Sequence, residues 1–338
     1  MDTTDWIAAL PKVELHLHLE GALRPETMFA LAGRNGVELP ADSPEGLGAL
    51  YRFGDFGDFA RLFLTGLKVL RTAADFADAT AALAAELAAQ NVRYAEVTTT
   101  PFAHIRRGVA AEEYRDGLNA GRRLARTAHG VELAWICDIS RETEDPGSEE
   151  TLGFLLGRTA PDGVVGLGLG GMEAGYPPAP FAASFAKAHA NGLAALPHAG
   201  ETVGPESVWS AVRDLHADRV AHGVTCLADP ALVDHLAAHG IPLDIAITSN
   251  VLLGLAASPE AHPLGDLRRA GLTLTLNTDD PAYFGTTLTR ELRIAHEAHG
   301  LDRAALVEAQ CTALAVSYAP ADVRARVTAE LAAVTAAG

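Results

Sequence analysis

A chain of 338 residues with 49% hydrophobic residues is long enough for one large α/β barrel or for two smaller domains. Its net charge of −17 argues against nucleic acids and anionic membrane surfaces as partners. The three cysteines are far apart and form no Cys-x-x-Cys pair, so we expect neither a disulfide framework nor a zinc site built from thiolates.

The amino terminus lacks the basic region and apolar run of a secretory signal, and no apolar stretch is long enough to cross a membrane. We therefore expect a cytoplasmic protein.

Strand-like segments alternate with helical segments along almost the whole chain. The predicted strands are Val13–Leu19, Val92–Thr98, Val131–Ile139, Val164–Gly170, Ala194–His198, Arg219–His222, Pro242–Ile247 and Leu272–Asn277. Eight strands with intervening helices predict a closed parallel (β/α)₈ barrel, and no linker marks a second domain within residues 1–338.

Composition and capping residues predict the helices. Ala73–Gln90 contains helix formers without Gly or Pro, and Glu112–Ala128 has apolar residues at helical spacing. Asp229 followed by Pro230 indicates the start of another helix, which Gly240 ends.

The segment between the first strand and the helix at residue 73 is too long for a simple connection. We interpret its central part, residues 26–68, as a helical lid inserted after the first strand. It contains Phe53, Phe56, Phe59 and Phe63. A cluster that only packs the lid against the barrel explains each phenylalanine equally well.

The first strand contains a His-x-His pair. Alternate side chains of a strand face the same side, so His16 and His18 point together, and the same register predicts that Glu14 points into the barrel. An isolated pair of this kind more simply caps a polar strand end. The remaining strands favour a metal site instead, because further metal-binding residue types follow several of them.

His198 ends the fifth strand and Asp279 follows the eighth. Because the carboxyl ends of barrel strands form one rim, these residues are expected to meet the His-x-His pair there. Three imidazoles and one carboxylate suit zinc and leave a position for water. The predicted ligands of this ion are His16, His18, His198 and Asp279. The fourth strand has no lysine that could bridge a second metal, so one zinc ion per chain is expected.

Three more polar residues lie near these ligands in sequence. Glu201 follows His198 by three residues and can donate a proton if its surroundings raise its pKa. His222, at the end of the sixth strand, can take a proton from water or orient the nucleophile, although a buried structural histidine is the competing interpretation. Asp280 is adjacent to a ligand and can bind a polar edge of the substrate.

Several short motifs occur in a fixed order between Leu10 and about Ala315. They are Pro-Lys-Val-Glu-Leu-His-Leu-His-Leu-Glu-Gly, His-Ala-Gly-Glu, Ala-His-Gly-Val, Thr-Ser-Asn and Asn-Thr-Asp-Asp-Pro. Together they resemble the adenosine deaminase family of the amidohydrolase superfamily. The resemblance implies a (β/α)₈ barrel with one zinc ion that hydrolyses the exocyclic amine of a 6-aminopurine. It assigns Glu201 to protonation of a ring nitrogen, His222 to activation of water and Asp280 to the imidazole-ring nitrogen of the purine.

On the substrate side, the resemblance places Glu20 at a substrate-binding position where adenosine deaminases usually have an aspartate that meets the sugar hydroxyl, and where related deaminases of adenine or modified nucleosides often have glutamate. It implies that the backbone amide of Gly171 meets the pyrimidine-ring nitrogen on the sugar side. It also places Phe56, Phe59 and Phe63 at an apolar gate over the base.

Departures from the family pattern concern the substrate. Glu20 stands where adenosine deaminases usually have aspartate, and Ala60 replaces a larger gate residue. The substrate is therefore open among adenosine, an enlarged derivative such as aminodeoxyfutalosine, and free adenine. A related ester or amide hydrolase would not need the Glu201, His222 and Asp280 set. The alternative of a different class is a catalytically silent nucleoside-binding barrel. Monomer and symmetric homodimer are both consistent with the sequence.

Overall fold

The structure is a computed structural model that describes residues 5–53 and 56–336, without the side chains of Asp5, Phe56, Asp58, Glu144 and Asp145. Eight parallel strands form one sheet in sequence order. They are β1 Lys12–His18, β2 Val92–Thr99, β3 Glu132–Ser140, β4 Val164–Gly170, β5 Ala194–Ala199, β6 Val220–His222, β7 Leu243–Ile245 and β8 Leu274–Leu276. Leu17 forms a bridge with Asp279, which brings the end of β8 back to β1. The predicted (β/α)₈ barrel is confirmed.

Helices surround the strands. They are α1 Asp5–Ala9, α2 Pro25–Asn35, α3 Pro44–Ala49, α4 Phe56–Leu67, α5 Ala73–Ala89, α6 Pro101–Ile105, α7 Ala111–Leu124, α8 Glu144–Leu156, α9 Ala182–Ala190, α10 Pro205–Arg213, α11 Pro230–His239, α12 Ile247–Leu252, α13 Leu264–Arg269, α14 Leu288–His299, α15 Arg303–Val316 and α16 Ala321–Ala336. As predicted, the Asp229 carboxylate caps α11 and Gly240 ends it in the left-handed region. Helices α2, α3 and α4 occupy the segment that we interpret as a lid.

The strands separate an apolar outer layer from the barrel interior. In β3, Trp135, Cys137 and Ile139 belong to the apolar cluster that includes residues of the surrounding helices. Ile136, one position out of phase, instead packs with Ala194 and Leu196 of β5. Alternate residues of β3 therefore face the interior, and this alternation directs its polar residues at the carboxyl end towards the mouth of the barrel.

The prediction for Glu14 is wrong. Its side chain lines a cavity together with Leu83 and Gln90 of the outer helix α5, and its carboxylate accepts hydrogen bonds from the backbone amide and hydroxyl of Thr278. The pairing of β1 with β2 shifts register between Glu14 and Leu17. Because of this irregularity, simple alternation does not carry the orientation of His16 back to Glu14.

No helix within residues 5–53 and 56–336 combines the length and apolar character that a bilayer crossing requires.

Candidate active site

The four predicted metal ligands converge at the mouth of the barrel. Their ligand atoms all lie within 4.8 Å of one another. Nε2 of His198 is 3.0 Å from Nε2 of His16 and 3.2 Å from Nε2 of His18. Oδ1 of Asp279 is 3.3 Å from Nε2 of His16 and 3.3 Å from Nε2 of His18. The donors thus surround a common centre.

The orientation of two imidazoles fits a cation at this centre. Nδ1 of His198 is 3.1 Å from the Leu169 carbonyl oxygen, and Nδ1 of His16 is 3.4 Å from the Asp244 carbonyl oxygen. Carbonyl oxygens only accept hydrogen bonds, so both Nδ1 atoms carry the proton and both Nε2 atoms present lone pairs. Two lone pairs 3.0 Å apart repel unless a cation lies between them. The donor set therefore fits a divalent metal ion such as zinc.

Asp279 is held in its ionised form. Burial acts to raise its pKa, but the neighbouring His16 and His18 outweigh burial and lower the pKa well below the usual value. The Ser249 hydroxyl donates to Oδ2 at 2.6 Å and leaves Oδ1 for the centre. The backbone of Asp279 adopts a φ of 66°, an uncommon conformation that lets its amide pair with the His16 carbonyl at the barrel seam.

A hydrogen-bonded chain fixes the proton position on His222. The backbone amide of Leu264 donates to Nδ1 of His262, so the His262 Nε2–H donates to Oδ1 of Asn250 at 3.0 Å. This orients the Asn250 amide nitrogen as the donor to Nδ1 of His222 at 3.1 Å. Neutral His222 therefore carries its proton on Nε2. His262 is itself buried, and no sequence motif indicated this role.

The Nε2–H of His222 faces the reaction region. Nε2 is 3.6 Å from Oε1 of Glu201 and 3.8 Å from Oδ2 of Asp279. Burial, followed by the neighbouring His16, lowers the pKa of His222 to about 3. A neutral ring with this tautomer can donate a hydrogen bond to an attacking oxygen. Of the two roles predicted for His222, orientation of the nucleophile is the one that this tautomer supports.

Glu201 stands on a loop that another carboxylate holds in place. Glu173 accepts hydrogen bonds from the backbone amides of residues 200–203, at 2.6, 3.0, 2.7 and 3.0 Å, and from the Ser207 hydroxyl. Burial raises the pKa of Glu201 well above its usual value, and the charge of Asp279 adds to this effect. This shift favours the protonated form of Glu201, in which the residue can act as an acid. Sequence reasoning missed Glu173, because only the folded chain brings this residue next to the amides of residues 200–203.

Glu20 is buried at the start of the loop after β1. Its Oε1 accepts hydrogen bonds from the Thr99 hydroxyl and from Nε2 of His104, both at 2.7 Å. Arg107 donates to Nδ1 of His104, so the histidine is neutral and Glu20 is the charged partner. Burial acts to raise the pKa of Glu20, but the bond from His104 outweighs it and the pKa is lowered. Oε2 has no hydrogen-bond partner in the described part of the chain.

Asp280 and Gly171 also lie at this rim. A Cβ atom on Gly21 would overlap Oδ1 of Asp280, so the chain needs glycine there to admit the carboxyl group. Burial and the adjacent Asp279 raise the pKa of Asp280 well above its usual value. Gly171 has a φ of +88° directly after β4, and a side chain there would overlap the Glu142 carboxylate. Both positions therefore depend on glycine.

The lid aromatics contact the loop after β8. Phe59 is buried, with its ring centroid 5.9 Å from that of Tyr283 and 5.3 Å from that of Phe284. The ring of Phe63 lies 5.5 Å from that of Phe59. The side chain of Phe56 lies outside the described residues. The two described rings therefore belong to an aromatic cluster that includes the loop after β8.

Comparisons with known proteins agree with this geometry. The family model for adenosine deaminase matches residues 11–334. An aminodeoxyfutalosine deaminase of Streptomyces avermitilis is 40% identical over 337 residues, which cover 99% of this chain and 94% of the relative. An adenine deaminase of Rhodospirillum rubrum is 40% identical over 329 residues, which cover 97% of this chain and 98% of the relative.

Solved structures give the same picture. The crystal structure of an adenine deaminase from Arthrobacter aurescens has a TM-score of 0.92 and 34% identity, and the match covers 97% of this chain and 99% of that chain. An amidohydrolase from Burkholderia ambifaria with bound Zn has a TM-score of 0.89 and 26% identity, with 98% and 93% of the two chains covered.

Proposed function

We propose that this chain, which belongs to the adenosine deaminase family, acts on a 6-aminopurine nucleoside. Family membership makes the protein a hydrolase of carbon–nitrogen bonds in cyclic amidines and supports hydrolytic deamination of an aminopurine. Water replaces the amine, and the products are the 6-oxopurine and ammonia. The candidate nucleosides are adenosine and adenosine derivatives enlarged at the sugar, such as aminodeoxyfutalosine.

The proposed catalytic groups divide the work by protonation state. One zinc ion held by His16, His18, His198 and Asp279 would supply a nucleophile at neutral pH by lowering the pKa of water. Protonated Glu201 donates to the ring nitrogen next to the carbon that carries the amine, which makes this carbon electron-poor. The Nε2–H of His222 orients the attacking oxygen. Asp280, kept protonated by burial, donates to the imidazole-ring nitrogen of the purine.

The observation that carries the nucleoside proposal is Oε2 of Glu20. Glu20 is buried, and Thr99 and His104 occupy only its Oε1. A buried carboxylate oxygen needs a donor, and a sugar hydroxyl supplies one. The same charge disfavours a phosphate group at this end of the pocket. Free adenine is the second candidate, because its ring N–H is also a donor and a relative that is 40% identical is named an adenine deaminase.

The test is ammonia release, together with loss of the 6-aminopurine absorbance, from zinc-loaded protein. The panel contains adenosine, 2′-deoxyadenosine, adenine, methylthioadenosine and aminodeoxyfutalosine. We expect kcat/KM for at least one nucleoside to exceed that for adenine by about tenfold or more. A preference for adenine would overturn the nucleoside proposal. If metal-loaded protein released ammonia from no member of the panel, deamination of these purines would be overturned and a nucleoside-binding role would be favoured.

A further inference from the structure

We propose that Asp138 is a second substrate-binding carboxyl group, which accepts a hydrogen bond from a hydroxyl of the sugar. This inference rests on the proposed nucleoside substrate and deepens it, because a substrate that satisfies both Glu20 and Asp138 must present two hydroxyl donors. Asp138 belongs to none of the motifs that indicate the metal site, so it is an additional determinant of specificity.

The alternation of β3 points Asp138 into the barrel. Ile136, two residues earlier, packs inside with Leu196, whereas Cys137 and Ile139 belong to the outer apolar layer. Asp138 therefore faces the interior near the carboxyl end of its strand, where barrel active sites lie. It interacts electrostatically with His18 and with Glu20, so it belongs to the same pocket as the metal ligands and the proposed sugar-binding residue.

The neighbouring strand makes room for this carboxyl group. Asp138 pairs with Gly168 of β4. A Cβ atom on Gly168 would lie 3.0 Å from Cβ of Asp138, and one on Gly170 would overlap Oδ2 of Asp138. Neither glycine has a positive φ, so the backbone conformation does not require glycine at these two positions. The Asp138 carboxyl group instead occupies the space that a side chain at Gly170 would take.

One oxygen of Asp138 is available to a ligand. The residue is 3% exposed, and Thr100 contributes a side-chain hydrogen bond to the carboxyl group. Oδ1 has no partner among residues 5–53 and 56–336. A buried carboxyl oxygen without a hydrogen bond is unfavourable, so native structures seldom retain one unless a ligand or water completes it. Oε2 of Glu20 and Oδ1 of Asp280 are in the same situation.

Counting donors indicates which ligand completes these acceptors. In the proposed mechanism Asp280 donates to the imidazole-ring nitrogen and needs no donor from the ligand, which leaves Glu20 and Asp138 as the acceptors that the sugar side of the ligand must complete. Free adenine offers one ring N–H at this side and would leave one carboxyl oxygen unsatisfied. A ribonucleoside offers several hydroxyls and can satisfy both. The arrangement therefore fits a nucleoside that keeps at least two free sugar hydroxyls.

The test is a double-mutant-type cycle in which kcat/KM is measured for protein variants with substrates that lack single hydroxyl groups. D138A and D138N are compared with the wild type on adenosine, 2′-deoxyadenosine, 3′-deoxyadenosine, 5′-deoxyadenosine and adenine. We expect D138A to lower kcat/KM for adenosine by about 10- to 100-fold, the usual range for loss of a hydrogen bond to a charged group. For adenine and for the one analogue that lacks the contacted hydroxyl, the change should stay within about threefold, because they never make this bond.

Three further variants separate a specific contact from general damage. G170A keeps the Asp138 carboxyl group but pushes it out of position, so it should reproduce the hydroxyl-dependent loss. G153A, on α8 with no atom within 4 Å of the added Cβ, and E132Q, at the opposite end of β3, should leave the ranking of substrates unchanged. Zinc content is measured for every variant, since Asp138 also interacts with the ligand His18.

The same cycle is repeated on dissociation constants in an E201Q background, where bound nucleosides are not turned over. An equal loss for adenosine, all deoxy analogues and adenine would overturn the role of Asp138, as would a D138A protein that matches the wild type. Wild-type protein that deaminates no aminopurine would overturn the proposed function instead. In that case the binding cycle still decides whether Asp138 contacts a hydroxyl.

Discussion

Two carboxyl groups of the site have opposite protonation states because their neighbours differ. Asp279 lies among imidazoles, which lower its pKa well below the usual value although burial opposes them. Glu201 is equally removed from water but faces the charge of Asp279, and its pKa is raised well above the usual value. One group can therefore ligate a cation while the other supplies a proton.

Substitution E201Q should retain zinc and lose turnover by about 10²- to 10⁴-fold, because an amide cannot donate a proton as an acid does. The acid form is the active one, so the wild-type rate should fall as the pH rises through the raised pKa of Glu201. The measurements are metal content and kcat between pH 5 and 10, with the wild type as the reference. A variant with near-normal kcat would remove Glu201 from the mechanism.

At the scale of elements, strand ends carry the site and a neighbouring loop holds it. Glu173, just after β4, binds the backbone amides that follow β5, so the position of Glu201 depends on a different βα unit. This contact between the two loops positions Glu201 and takes no direct part in the reaction. Its loss should therefore lower the rate without removing the metal.

Substitution E173Q replaces one acceptor oxygen with an NH₂ group that faces amide donors, so the loop after β5 should shift. We expect kcat to fall by about 10- to 100-fold while zinc content stays unchanged. S207A is the matched control, because it removes one hydroxyl donor to Glu173 and keeps the four backbone bonds. A smaller loss for E173Q than for S207A would contradict the role of the carboxylate.

Local patterns of the sequence were sufficient to predict the eight strands, although most strand boundaries differ from the prediction by one or two residues. Strand periodicity and short motifs are properties of neighbouring residues, so His16, His18, His198 and Asp279 were within reach of sequence reasoning. His262 was not, because its contact with Asn250 requires α12 and the loop before α13 to meet. The predicted orientation of Glu14 was also wrong, because the register shift in β1 depends on its pairing with β2.

For the whole molecule, a buried ionic network lies below the metal centre. Arg219 donates to Glu96 at 2.6 Å and to Asp244 at 2.5 Å, and all three residues are buried. The backbone carbonyl of Asp244 in turn faces Nδ1 of His16. Strands β2 and β7 and the residue before β6 are thus linked to the strand that carries two of the proposed metal ligands. The orientation of the ligands and the integrity of the barrel are therefore connected.

Backbone hydrogen bonds at the carboxyl end of β1 help to close the seam between β8 and β1. The amide of His18 donates to the Asp279 carbonyl at 2.9 Å, and the amide of Asp279 donates to the His16 carbonyl at 3.0 Å. His16, His18 and Asp279 are three of the four proposed metal ligands, and His198 of β5 is the fourth. A bound ion would therefore tie β1, β5 and the end of β8 together.

Removal of the metal by a chelator should lower the thermal midpoint by about 5 °C, because an ion that binds only the folded state stabilises it by mass action. Hydrogen exchange should accelerate at residues 12–18 and 274–280, while β3, two strands away from β1, changes little. H198A provides the matched control. It should bind little zinc, show the lowered midpoint from the start and respond no further to the chelator. Full zinc occupancy in H198A would refute the ligand assignment, and a chelator-insensitive wild type with uniform exchange would refute a metal that holds the seam.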